Sequence, residues 1–524
     1  MSSQPAVEPL RFASAAGRWA LVGTVLGSGM TMLDGTVVNI ALPRLGRELG
    51  ADFAGLQWVV NGYTLALASL ILLGGSLGDR LGRRRVFTVG VVWFTVASLL
   101  CALAPSVGFL VAARVLQGIG GALLVPGSLA MLQASFHADD RARAIGAWSG
   151  LGGVTAAAGP FLGGWLVDAA SWRWIFLLNV PLGAVVLYVV AAHLPETRDP
   201  TTEGRLDLAG AVLGVGGLAG VTYGFIERSF VVGGIGAALF VAFLVAESRQ
   251  AHPMLSLRIF GSRQFSAANA VTFVLYGGLG MALFLVGLVL QEALGYAPLE
   301  AGMATLPITF VMLAFSARAG GLAIRIGPRI PMSVGPVVMA GGLALMVRIG
   351  PGSTYVGTVL PALLVFSAGL ALTVAPLTAT ALAAADVRHA GLASGVNNAV
   401  ARTGQLLAVA LIPILAGFGA GEPVAADALV DGFHRVVLFA AAAMALGGAL
   451  SWAFIRSDVL GAPSAKPAVI AVPDATRRDV ARRDGASLPT EPVTVASRGR
   501  PTYHCGTTAP PLCPDETPRA TVSD

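Results

Sequence analysis

The chain has 524 residues, of which 55% are hydrophobic and 12% charged, with a mean hydropathy of +0.76. A soluble globular chain carries about 25% charged residues; the deficit, with repeated apolar runs of 18 or more residues, excludes an ordinary soluble domain and implies a polytopic all-helical membrane protein. The net charge of +6 sits in short arginine clusters between apolar runs and in a polar tail, which is a topology signal and not a nucleic-acid groove.

Residues 1–18 lack the basic start, apolar run and cleavage site of a signal peptide, so the first span is expected to be retained. Apolar runs then predict fourteen helices, at 19–41, 54–76, 84–104, 107–134, 143–167, 173–192, 206–226, 231–247, 265–291, 302–323, 329–347, 356–384, 393–417 and 436–455. The arginine-bearing loops DRLGRRR, DDRARA, RDPTTEGR, ESRQAHPMLSLRIFGSRQ, RIGPR and DVRH all fall on one side, while APSVG, EALGYAPLEA and the acidic GEPVAADALVDG fall on the other. By the positive-inside rule both termini are cytoplasmic. The pattern divides into an N-terminal six-helix bundle over 19–192, two additional helices with polar joints over 193–264, and a C-terminal six-helix bundle over 265–456. Paired halves of this kind suit alternating access about a site near the midplane. The tail from 457 to 524, rich in Pro, Ser, Thr and Arg, is expected to be disordered. Cys101 lies in an apolar run and Cys505 and Cys513 in the tail, so no disulfide framework is implied.

The first span holds a single charge, Asp34. A charge at bilayer depth costs roughly 2.5 kcal/mol or more and calls for a partner or a task. Asp34 lies about seven residues, roughly 10 Å, from the outer end of its span, and Arg114 lies about as far from the outer end of the fourth. Two readings stay open: a permanent ion pair that orients two helices, or a carboxylate that trades its arginine for a proton or a cationic substrate. Asn39 and Gln117 add hydrogen-bonding capacity about one turn away.

In GGSLGDRLGRRR, Gly74 to Arg85, a positive-inside loop accounts for Arg83, Arg84 and Arg85 but not for Asp79. An acid weakens membrane attraction, so Asp79 is expected to form an ion-pair latch that breaks as the halves rock. In the fifth span Pro160 is expected to bend the helix, with Gly159, Gly163 and Gly164 admitting a close neighbour. Arg318 is close enough to a span end to snorkel; Arg402, about ten residues into its span behind Asn397 and Asn398, is not. Trp58, Tyr63, Trp148, Phe273 and Tyr276 are candidates to line a cavity for flat or lipophilic compounds, against the simpler reading that they pack or face lipid. The single lysine, Lys466, lies in the tail, so the body lacks the lysine of a Gly-rich phosphate loop and an ion gradient must drive any uphill transport.

These residues resemble the major facilitator superfamily, in particular its fourteen-span drug:proton antiporter branch. The resemblance covers about Trp19 to Arg456. LDGTVVNIALP looks like the branch's first-span signature; Gly75, Leu77, Asp79, Arg80, Gly82, Arg83 and Arg84 match the superfamily's loop motif. Arg114, Gln117, Gly118 and Gly120 match the fourth-span motif, and Gly159, Pro160, Gly163 and Gly164 the exporter motif of the fifth. WRWIFLLNVPLG and LGYAPLEAGMATLP also look typical of the branch. Thr155 stands where the exporter motif often has glycine, and Ile324 stands where the second-half loop would carry the counterpart of Asp79. The resemblance implies proton-driven export without a cofactor or an ATP-binding subunit. It gives Asp34 and Arg114 roles in coupling and Asp79 a role in conformational switching; beside these, Asn39, Gln117 and Arg402 are the expected supporting polar contacts, and Arg80, Arg83 and Arg84 are expected to share the switch with Asp79. The expected partners are protons, a lipophilic drug or antibiotic-like natural product, and membrane lipid. The preference for Arg over Lys fits a high-GC bacterium and hence its cytoplasmic membrane. Two alternatives are an exporter of one defined metabolite, such as a peptide, amino acid or siderophore, and a membrane sensor or scaffold acting through the tail.

Overall fold

The computed structural model describes residues 9–198, 206–250, 253–384, 390–419 and 424–460. Among them, fourteen helices are long and apolar enough to cross a membrane. They are α1 (Ala15–Leu49), α2 (Phe53–Leu81), α3 (Arg83–Ala102), α4 (Val107–Ser135), α5 (Asp139–Ala169), α6 (Arg173–His193) and α7 (Leu208–Ile226). The rest are α8 (Phe230–Arg249), α9 (Arg263–Glu292), α10 (Pro298–Ile326), α11 (Arg329–Met346), α12 (Tyr355–Ala383), α13 (Gly391–Ala416) and α14 (Ala426–Phe454). All fourteen predicted spans are present. The predicted tail from 461 onward, the RDPTTEGR joint over 199–205 and the whole of DVRH lie outside the described residues.

Several helix ends differ from expectation, and at four of them the local reason is plain. α1 starts at Ala15 because Ser14 Oγ accepts the Gly17 amide at 3.0 Å. It runs on past Pro43, with Leu42 and Leu45 fully buried, until Gly50 turns left-handed at φ +64°. α10 starts at Pro298, where the Glu300 carboxylate accepts the Ala297 amide at 2.9 Å. α14 starts ten residues earlier than expected: much of the stretch read as an outer loop forms its first turns, because Leu429, Val430 and Phe433 are buried on one helical face.

Lipid tails are as apolar as leucine, so these helices associate through close packing and buried polar contacts and not by escaping water. α1 to α6 pack together, with α4 against both α2 and α3; α9 to α14 form a second group. α7 and α8 pair as a hairpin whose glycines let the backbones touch: a Cβ on Gly220 would strike the main chain of Gly236. The hairpin leans through α7 on α2 and α13, one helix from each group. Its α7–α8 turn is tied there by Trp58 Nε1 donating to Glu227 Oε1 at 2.8 Å, and by the Arg228 guanidinium donating to the carbonyls of Pro413 and Phe418.

The two groups meet where α2 lies along α13, α1 against α9, and α5 against α10. Near the C-terminal end of α1 the joints are polar. Gln291 Nε2 donates to the Ile40 carbonyl at 2.9 Å, Gln57 Nε2 donates to the Val409 carbonyl, and Arg47 pairs with Glu292 at 2.8 Å. The last pair is exposed and contributes about 0–1 kcal/mol; the buried glutamines hold this end more firmly.

Candidate functional site

Asp34 and Arg114 meet. Arg114 Nη1 lies 2.5 Å from Asp34 Oδ2, with both side chains 1% exposed. α4 presents Arg114 and Gln117 three residues apart, hence on one face, and Gln117 closes the arrangement: its Nε2 donates to Asp34 Oδ1 at 2.9 Å, and its Oε1 accepts from Arg114 Nη1 at 2.6 Å. Each oxygen of the carboxylate therefore has a donor. Arg114 Nε also donates to the Val59 carbonyl of α2 at 3.0 Å, and the guanidinium lies 4.3 Å from the centroid of the Tyr63 ring. The guanidinium thus keeps three neutral partners besides the acid.

The support continues outward. Ser98 of α3 accepts from Gln117 Nε2 at 3.2 Å and from Asn179 Nδ2 of α6 at 3.0 Å, and donates to the Phe176 carbonyl. Ser98 and Asn179 are fully buried. The sequence reading missed both, because a serine or asparagine in an apolar run carries no signal of its own. Asn61 of α2 was missed too; it is fully buried with neither amide atom bonded.

Asn39 does not join the cluster: its Nδ2 turns back to the Gly35 carbonyl at 3.4 Å, and its backbone faces Gly287 of α9. Of the aromatic candidates, Tyr63 packs on Arg114 and donates to the Thr31 carbonyl at 3.3 Å, while Trp148 Nε1 donates to Ser28 Oγ at 2.9 Å, joining α5 to α1. Trp58 serves the hairpin through Glu227 and Tyr223. Phe273 is exposed on α9 with its backbone against Gly404 of α13. Tyr276 of α9 is half-buried and lies within reach of the charge on Arg402 of α13. Arg318 folds onto Phe315 and the Ala314 carbonyl of its own helix.

At the α2–α3 turn, Asp79 Oδ1 pairs with Arg83 at 2.8 Å across the break at Gly82, whose φ of +110° suits glycine. Arg80 occupies the last turn of α2, where a cation favours the carbonyl end of the helix. Arg84 leaves the acid and donates to the carbonyls of Ala191 and Leu194 at 3.0 Å each. The group that fixes the start of α3 is one the sequence reading missed, Glu196: its two oxygens accept the amides of Arg84 and Arg85, each at 3.1 Å. No spacing rule links an acid to amides 112 and 111 residues away. Glu196→Ala is expected to cost about 1 kcal/mol, the usual loss for a helix cap. The check is a lowered unfolding midpoint for the purified protein in detergent, with Glu196→Gln intermediate.

α5 is one continuous helix through Pro160. A Cβ on Gly159 would strike Thr36 of α1, and one on Gly163 would crowd Val37. Gly164 and Pro160 face the other group: a Cβ on Gly164 would strike Pro298, and one on Gly302 would strike the Pro160 carbonyl. The small residues of α5 therefore serve two interfaces at once.

A buried acid–arginine pair beside the joint between two six-helix groups is the setting in which known relatives become informative. Residues 24–409 match the family model of the Major Facilitator Superfamily. The chain belongs to that superfamily. It is a multi-pass membrane transporter with fourteen spans. Among curated superfamily relatives, the puromycin resistance protein of Streptomyces alboniger is 34% identical over 86% of this chain and 94% of that protein. The methylenomycin A resistance protein of Bacillus subtilis is 35% identical over 85% and 96%. The probable actinorhodin transporter of Streptomyces coelicolor is 34% identical over 80% and 75%. Solved structures share the fold at low identity. A D-xylose–proton symporter gives a TM-score of 0.60 at 15% identity, covering 84% of this chain and 98% of that one. A bacterial homologue of the human drug peptide transporters gives 0.62 at 15%, covering 83% and 98%.

Proposed function

We propose that this Major Facilitator Superfamily chain is a proton-coupled antiporter that exports lipophilic drugs or antibiotic-like natural products by alternating access. It does so across a bacterial cytoplasmic membrane, with both termini in the cytoplasm. The observation that carries the reading is the buried Asp34 carboxylate, whose arginine has other partners to fall back on. Protonating a lone buried acid of an ion pair normally strands the cation. Here Val59, Gln117 and Tyr63 keep Arg114 satisfied while Asp34 is neutral, so the acid can load and release a proton during the cycle. The Asp79–Arg83 pair then serves as the latch of the opposite end, and Pro160 and Gly164 of α5, against Pro298 and Gly302 of α10, as the surface on which the halves close.

Relatives named for puromycin, methylenomycin A and actinorhodin support export of toxic natural products. Because each carries one compound's name, export of a single defined metabolite by the same cycle is the second reading. In everted vesicles with an acid-inside gradient, a compound panel is expected to show accumulation that a protonophore abolishes. Accumulation indifferent to the protonophore would remove proton coupling, and uptake of one compound only would favour the narrower reading.

A further inference from the structure

Three arginine or aspartate side chains stand well inside the spans at the joint between the two groups: Asp34, Arg114 and Arg402. The first two neutralise each other. Arg402 is left over: among the described residues it has no ion pair and no hydrogen bond. It is only half-buried. Snorkelling does not account for it. In α13 (Gly391–Ala416) it stands eleven residues from one end and fourteen from the other, roughly 16 and 21 Å at 1.5 Å per residue, beyond the reach of one side chain.

Its direction is fixed by its neighbours. Val409, seven residues on and hence on the same face, accepts from Gln57 of α2; Gly395, seven residues back, packs on Leu72 of α2, and Gln405, three residues on, packs on Gly280 of α9. Arg402 accordingly points between α2 and α9, and its charge acts on a phenol from each, Tyr63 of α2 and Tyr276 of α9. A guanidinium without an acid partner among the described residues, with a phenol of each group within range of its charge, forms a site with one fixed positive charge between apolar helices. An arginine stays charged at any physiological pH and presents a planar fork matched to a carboxylate. A charge kept at that depth without a protein partner is a functional-site signal.

We infer that Arg402 is the anion contact of the translocation path, receiving the carboxylate or ionised phenol of a lipophilic substrate that lies against Tyr276. The inference rests on the exporter reading above and narrows it: the substrates are weak acids or zwitterions, and permanent cations are disfavoured. When Asp34 takes up a proton the interior becomes more positive, which strengthens the preference for an anion in that half of the cycle.

The test uses one hydrophobe with two heads, 1-pyrenebutyrate and pyrenylbutyl-trimethylammonium, titrated by fluorescence against the full-length protein in nanodiscs. A charge-assisted hydrogen bond retained by one probe and denied to the other predicts about tenfold tighter binding of the carboxylate to the wild type. Arg402→Gln is expected to erase that preference, and Arg402→Lys to keep part of it. Tighter binding of the ammonium probe to the wild type would overturn the inference with no variant needed, as would an unchanged preference in Arg402→Gln. The carboxylate preference in nanodiscs with no gradient-driven uptake of either probe into everted vesicles would overturn the exporter reading instead and leave the anion site standing.

Discussion

Asp34→Asn is expected to abolish gradient-driven accumulation of substrate in everted vesicles while the protein still folds and binds. The asymmetry of the site is the reason. Asparagine keeps an acceptor oxygen where Asp34 has one, and Arg114 retains Val59 and Gln117 as acceptors and the Tyr63 ring as its platform. Removing the acid therefore leaves no stranded charge without a partner. The reverse deletion, Arg114→Leu, leaves a carboxylate with a side chain 1% exposed and one neutral donor from Gln117. Breaking a buried pair in that direction costs about 3–5 kcal/mol, enough to deplete the folded protein from the membrane. The two variants should thus fail differently: Asp34→Asn at normal abundance with substrate binding intact and no substrate-linked proton flux, Arg114→Leu by loss of protein. Wild-type accumulation by Asp34→Asn under the same gradient would mean that the pair only holds α1 and α4 together.

Much of this site was legible because charges in apolar spans are few and helices rise by a constant step. Depth alone brought Asp34 and Arg114 to one level, and the three-residue spacing put Gln117 beside Arg114. The same reasoning misplaced Asn39. Five residues from Asp34 is about 140° off its face at 3.6 residues per turn, which is why its amide finds Gly35 and not the carboxylate. Neutral supports such as Ser98 and Asn179 were not legible, since their meaning lies in which helices the fold sets side by side. The start of α14 was hidden by composition: Asp427 and Asp431 read as loop, while the burial of Leu429, Val430 and Phe433 decides for helix. Arg402 was visible as a deep charge, but that no acid among the described residues comes to meet it needed the fold.

Gly302→Ala is expected to hold the protein open at the end where α1 terminates and to lower transport at least about tenfold. The approach of α5 to α10 is reciprocal: the Cβ of an alanine at 302 would enter the Pro160 carbonyl, and Gly164 stands in the same relation to Pro298. Both obstacles are main-chain atoms, which cannot swing aside as a side chain can, so the helices must part. Overpacking of this kind costs about 1–3 kcal/mol, and one tenfold shift in a two-state population needs only about 1.4 kcal/mol. Because the contact joins the two helical groups and lies within neither, the cost falls on the closed arrangement and not on the folding of either group. Gly321→Ala, on the same helix with open space where its Cβ would stand, is the control and should change nothing. The measurement is labelling of Asn39→Cys by an impermeant maleimide from the side of the α1 C-terminus, with Cys101, Cys505 and Cys513 replaced by serine. Residue 39 is buried in the closed joint beside Gly287, so slow labelling in the parent and fast labelling with Gly302→Ala is the expected result. Equal labelling and intact transport would mean that α5 and α10 touch without governing closure, and that the buried glutamines Gln57 and Gln291 hold this end by themselves.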